Sequence, residues 1–262
     1  MERGMKASQL NKKIGAVRRY ANPPVVEALC EIFFLDSHWD PTIPGIFYDR
    51  IKDEFPVKGE LKQMDVEIQV GSGEAATRMA PAEARGRFSS PDRSKVVQVG
   101  RDLVVVNQLR PYPHFDAWRP RVMSMVRLYT ELAKPKAISR IGVRYINRIV
   151  VPEEGHDMAR YFKLYPEIPA ELGGAHGNFF MRVQIPASHA DHGLIVTFGS
   201  APSETRGESP YLLDLYDVVP LSETIDFDLL STRIEEAHAN VERAFENIIT
   251  DSAREMFQEI RT

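Results

Sequence analysis

A chain of 262 residues with 43% hydrophobic and 27% charged residues has the balance of an ordinary globular protein, long enough for one large core or two modest ones. Its formal net charge of -4 argues against a surface that tracks nucleic acid as a whole, and no apolar run approaches the roughly 20 residues that span a bilayer. Met1 to Tyr20 lacks the apolar core of a secretory signal, so a cytoplasmic protein without membrane contact is expected; the single cysteine, Cys30, leaves no disulfide framework or cysteine metal cage.

In chain order, residues 1–20 form a basic tail, with six basic residues against one acidic residue, a net +5 that leaves -9 for the body. Lys12, Lys13, Arg18 and Arg19 are its candidate contacts to a separate macromolecule, with folding back onto the body as the competing role. After Asn22-Pro23-Pro24, whose prolines enforce extended backbone, Val25 to Phe34 reads as a strand. Val26, Ala28, Cys30, Ile32 and Phe34 form its apolar side, while Glu27 and Glu31 stand between Val25, Leu29 and Phe33 on the other. Thr42-Ile43-Pro44 opens a helix whose stripe is Phe47, Ile51 and Phe55. Met64 to Val70 alternates as a half-buried strand, Gly71 to Gly86 reads as a loop, and Arg87 to Ser90 as a short strand. Lys95 to Gly100 and Asp102 to Leu109 form a hairpin. Trp118, Val122, Met125, Tyr129 and Leu132 give one stripe to a helix from about Phe115 to Leu132.

Ser139 to Val150 carries the strongest pattern in the chain. Ile141, Val143, Tyr145 and Ile149 alternate with Arg140, Arg144 and Arg148, which places the arginines about 13 Å apart in a row on one side of a strand. A short helical segment from His156 to Tyr165 follows, then strands near Asn178 to Ile185, Leu194 to Gly199 and Tyr211 to Val219. A long helix with the stripe Leu230, Ile234, Ala237, Val241, Phe245 and Ile248 comes next, and Thr250 or Ser252 is placed to cap a final turn.

Both halves thus read strand, helix, strands, helix, and Tyr48, Ile51, Phe55 and Pro56 match Met158, Tyr161, Tyr165 and Pro166 in spacing. The predicted fold is α+β: a tail over 1–20 and two repeats over 21–135 and 136–262, forming one antiparallel sheet with helices on one face. The element order resembles the duplicated saddle of TATA-box-binding proteins. The motifs Asn22-Pro23-Pro24-Val25-Val26-Glu27-Ala28, Ile43-Pro44-Gly45, Gln98-Val99-Gly100, Val106-Asn107 and Arg140-Ile141-Gly142-Val143-Arg144-Tyr145-Ile146-Asn147 resemble a sporadically distributed family of uncharacterised prokaryotic proteins. That resemblance covers nearly everything after residue 20. It implies no particular chemistry or ligand, and a patchy distribution implies mobile or defence-associated gene clusters.

No nucleophile elbow or phosphate loop is present, so no catalytic residue is assigned, and no cofactor or metal is expected. His189-Ala190-Asp191-His192 has metal-ligand residue types but lies where a turn between strands is expected. The outstanding group is Glu27 and Glu31 with Arg140, Arg144 and Arg148. Opposed on neighbouring strands, these would form cross-strand ion pairs; otherwise the arginines line an anion-binding groove, to which Gln98 and Asn107 add hydrogen bonds. Asn147, among apolar neighbours, is expected to be buried and hydrogen-bonded. The reading is a non-catalytic binding or regulatory protein that engages a protein partner through the free sheet face or the tail, with nucleic acid as a further partner for the tail. The alternative is a metal-dependent phosphate or nucleotide hydrolase on the arginine face, similar to triphosphate tunnel hydrolases but without their Glu-x-Glu-x-Lys pattern.

Overall fold

Period-two alternation needs a surface to bury its apolar side, and in this chain the two strongest alternating segments lie side by side in the middle of one sheet. The computed structural model describes residues 18–61, 64–70, 75–81, 84–152, 155–174, 177–186, 193–203 and 205–260. Strand β1 (Arg19–Tyr20) leads into β2 (Val25–Leu35), helix α1 (Ile43–Ile51), β3 (Val57–Leu61), β4 (Met64–Val70), β5 (Ala75–Pro81), β6 (Arg85–Ser89), β7 (Lys95–Gly100), β8 (Leu103–Leu109) and α2 (Phe115–Ala133). The second half runs β9 (Ala137–Val151), α3 (Met158–Tyr161), β10 (Phe180–Pro186), β11 (Gly193–Ser200), β12 (Ser209–Thr224), α4 (Phe227–Ile248), α5 (Asp251–Phe257) and β13 (Glu259–Ile260).

Nine strands form one sheet in the order β10-β11-β12-β9-β2-β8-β7-β6-β3, and the neighbours are antiparallel. The leading strands β2 and β9 pair with each other at the centre. Outside each lies the last strand before the long helix of its half, β8 or β12, and the remaining strands meander outward. The two halves of the chain therefore occupy corresponding halves of the sheet, and the protein is α+β with its helices packed on one face. A single core joins the inner sides of the strands to the helices: Cys30, Ile32, Ile141, Val143 and Leu213 are sealed against Phe47, Trp118, Val122, Tyr129, Ile234 and Ala237. Burial of this kind supplies most of the stability, at about 25 cal/mol per Å² of apolar surface. Cys30 is fully buried, and desolvation pushes its thiol pKa up, which makes it an inert core side chain.

Two local expectations are corrected. The segment read as a loop at Gly71 to Gly86 contains β5, paired with β4 from Val70 opposite Ala75 to Met64 opposite Pro81; glycine, alanine and charge dilute its alternation below recognition. The helix expected over His156 to Tyr165 is only the four residues of α3, because Phe162 turns extended and bridges to Ile249. Of the two residues expected to cap the final helix, Thr250 does so, its hydroxyl accepting from the Ala253 amide, and Ser252 lies inside it. The outer face of the sheet also departs from a bare surface: Leu29, Leu103 and Val105 are at most 7% exposed and form a small second apolar cluster with Phe33 against it.

Candidate functional site

The arginine row lies on that outer face, where the register decides its partners. β2 and β9 are paired so that Leu29 stands opposite Arg144, Glu31 opposite Gly142 and Phe33 opposite Arg140, and a bulge puts Glu27 opposite Ile146. Acid and base are thus diagonal to one another, and each takes a nearer partner. Arg144 places its fork on Asp214 of β12, with Nε and Nη2 at 2.8 and 2.5 Å from the two carboxylate oxygens. Arg140 stacks on the Phe33 ring, 3.8 Å from its centre. The Tyr216 hydroxyl donates to Glu31 at 2.8 Å, and its ring crosses Gly142 so closely that a Cβ there would lie 2.6 Å from two of its atoms. Gln98 donates to Asn107, and Asn107 donates to Glu27 at 2.7 Å. The cross-strand pairing expected of Glu27 and Glu31 with the arginines is thereby replaced by contacts to Asp214, Tyr216, Phe33 and Asn107. A bidentate arginine–carboxylate pair and satisfied amides are what a rigid sheet surface requires.

The end of the basic tail meets the body at the opposite side. Arg18 Nη1 lies 2.8 Å from Glu259, Arg19 lies 3.9 Å from Asp116, and β1 pairs with β13. Tyr20 is buried between Phe245 and Phe257, with its hydroxyl 2.6 Å from Glu246, which also accepts from Arg254. Beyond Tyr20 the chain crosses the sheet end as an extended strap. Its prolines have no amide to donate, so it is pinned through its carbonyls: Arg110 donates to Pro24 and Val25, and the Arg148 amide to Pro24. The Arg148 side chain borders an open groove of about 940 Å³ beside the strap. Lys12, Lys13 and His189 to His192 lie outside the described residues.

Beneath the strap, on the helix side of the sheet, is a cavity of about 100 Å³ lined by Tyr20, Pro24, Tyr112, Tyr145, Asn147, His238, Glu242 and Phe245, among others. Here period two and period 3.6 cooperate: β9 turns Tyr145 and Asn147 inward, and α4 brings His238, Glu242 and Phe245 to the same face within two turns. The Tyr145 hydroxyl sits 2.6 Å from that of Tyr112 and 3.0 Å from His238 Nδ1, while the His238 ring stacks on Phe115 at 3.9 Å. Burial pushes His238 down to about 4, so the imidazole is neutral at pH 7, and Tyr112, Tyr145 and His238 form one hydrogen-bonded chain. Both phenols are driven upward by burial and stay protonated. Asn147, 2% exposed, donates to the Leu213 carbonyl at 3.1 Å, the buried amide that its apolar neighbours predicted.

No protein-family model matches the chain, and no curated protein does.

Glu242 is the unmatched member of this cavity. Burial raises its pKa, reinforced by Glu246 and Asp116, and among the described residues no group donates a hydrogen bond to it. Of this set the sequence singled out only Tyr145, as a core residue, because Tyr112 and His238 belong to no motif. The available signal was polar: His238 and Glu242 are one helical turn apart and lie beside the apolar stripe. Among the described residues no three His, Cys, Asp or Glu side chains form a metal-holding group, and no helix is long and apolar enough to cross a membrane.

Proposed function

We propose that this is a non-catalytic binding or regulatory protein of the cytoplasm, in which the nine-stranded sheet is a scaffold, the strap-covered cavity is a small-ligand site, and the basic tail engages an acidic protein partner. The observation that carries this reading is the contrast in satisfaction. Arg144, central in the outer-face row, is already held by Asp214, and Arg140 is stacked on Phe33 although its buried Nε has no hydrogen bond, whereas the cavity holds an ordered Tyr112–Tyr145–His238 chain beside a carboxylate to which no group among the described residues donates. A concave, mostly apolar space with a few convergent polar groups is the usual form of a small-ligand site. The hydrolase alternative needs arginine forks free to receive phosphate, and the fork of Arg144 is taken. Titration of the purified protein with a panel of small metabolites, read on the ring resonances of Tyr112 and Tyr145, tests the proposal alongside incubation with nucleotides and Mg2+. Ring perturbation without turnover is the expected result. Nucleotide turnover that disappears in Arg144→Ala would overturn it.

A further inference from the structure

The charges around the cavity pair off unevenly. Arg18 is held by Glu259 and lies 3.8 Å from Glu246, Arg254 is held by Glu246 and Asp251, and Arg19 lies near Asp116. His238 is neutral, and His114 stands on the rim. Among the described residues, what remains is the Glu242 carboxylate, facing a space bordered by two edge-to-face aromatic pairs: Tyr20 with Phe245 at 6.4 Å and Tyr112 with Tyr145 at 5.5 Å. Aromatic rings present negative faces, and a half-buried carboxylate gains more from a charged donor than from a neutral one. An anion would meet Glu242 and Glu246; a neutral apolar guest would leave Glu242 without a donor.

Resting on the cavity reading above, we infer that the site takes a small organic monocation, a primary or methylated amine, with its charge on Glu242 and its alkyl part among the rings of Tyr20, Tyr112, Tyr145 and Phe245. The volume sets the size. At about 100 Å³ the space is smaller than the roughly 150 Å³ cavity known to accept benzene, which suits a ligand of a few non-hydrogen atoms. The hydrogen-bonded Tyr112–Tyr145–His238 chain then serves as a rigid wall, and its phenol oxygens carry lone pairs that can meet a second ammonium hydrogen.

The test uses the full chain and three four-carbon probes, butylammonium, butan-1-ol and butyrate, in calorimetric titrations with the tyrosine ring resonances followed in parallel. Butylammonium is expected to shift the Tyr112 and Tyr145 rings and to bind about tenfold tighter than butan-1-ol, with butyrate weakest. Glu242→Gln should erase that preference, and Glu236→Gln, on an exposed part of the same helix, should leave it intact. Should Glu242→Gln unfold the protein, Glu242→Asp, which draws the charge back by one methylene, must weaken butylammonium binding alone. Equal binding of alcohol and amine at the rings overturns the cation assignment while the cavity reading stands. Failure of all three probes to reach the rings overturns both.

Discussion

Strand β9 serves two faces that solve the same problem in opposite ways. On the outer face, Arg144 is gripped by Asp214 and Arg140 is laid on Phe33, so a row of cations that is conspicuous in the sequence becomes part of the sheet's own bracing. On the inner face, Tyr145 and Asn147 border a space in which most polar groups are matched and Glu242, among the described residues, is not. Periodic charge is easily absorbed, because an antiparallel sheet brings many neighbours within reach. A half-buried carboxyl without a donor is costly, and its persistence beside a cavity is the better guide to binding.

The largest expected separation between the faces is in acid. An unfolded histidine titrates near 6.5, and His238 is pushed to about 4 in the folded protein. Below pH 6.5 the unfolded chain takes up the proton first, so the stability due to neutral His238 is complete above 6.5 and is lost as the pH falls towards 4, up to about 3 kcal/mol. Glu242, raised rather than lowered, works in the other direction: the folded state binds its proton first, and the charge costs stability at neutral pH. Urea denaturation between pH 4 and 7 should therefore show a pH slope that flattens in His238→Gln. The slope should stay unchanged in Arg144→Ala, even though that variant is less stable throughout. A slope that survives His238→Gln would remove the distinction between the faces.

On the outer face the strongest single perturbation should be Gly142→Ala. The added methyl group meets the Tyr216 ring, which has to lie across Gly142 to reach Glu31, and the loss should be about 2 kcal/mol by overpacking. Combining it with Tyr216→Ala should recover most of the Gly142→Ala increment, since the obstacle is then gone. Additive losses in the double variant would show that the strain lies elsewhere.

These cases mark what was legible in advance. The alternation of Ile141, Val143, Tyr145 and Ile149 and the stripes of α2 and α4 identified the core faces, because burial depends on local period. Asp214 and Tyr216 could not be chosen as the partners of Arg144 and Glu31, since the pairing register is set by a bulge near Val25 and by strands 70 and 185 residues apart in sequence. The cavity was further out of reach. Its groups come from the strap, the Tyr112 turn, β9 and α4, each with a bland local explanation, and only their convergence gives them meaning. The tail shows the same limit: its charge was evident, but the contacts of Arg18 and Arg19 with Glu259 and Asp116 required the pairing of β1 with β13.

Within the cavity, Tyr145→Phe removes the central hydroxyl while keeping the ring. Tyr112 and His238 then lose a shared partner, and a loss of about 1.5 kcal/mol is expected in chemical denaturation, with the His238 titration moving as its hydrogen bond disappears. An unchanged His238 titration would mean that burial alone sets it.

The smallest effect should come from the strap's outer ion pairs. Arg19 and Asp116 are 54% and 82% exposed and 3.9 Å apart, a geometry in which solvent screening and side-chain entropy cancel most of the attraction, so Arg19→Ala should cost less than about 0.5 kcal/mol. Arg18 differs in having Glu259 at 2.8 Å and Glu246 nearby, and it is linked through Glu246 to Arg254 and the Tyr20 hydroxyl. Arg18→Ala should therefore cost more than Arg19→Ala, and the difference should shrink between 50 mM and 500 mM salt as the exposed part of the network is screened. If the tail instead serves only an external partner, both variants will be equally stable at every salt concentration, and partner affinity alone will fall. That pattern would separate the strap from the cavity it covers and return Arg18 and Arg19 to the tail as free contacts, whereas a salt-sensitive Arg18 effect ties Arg18 to the mouth of the binding site.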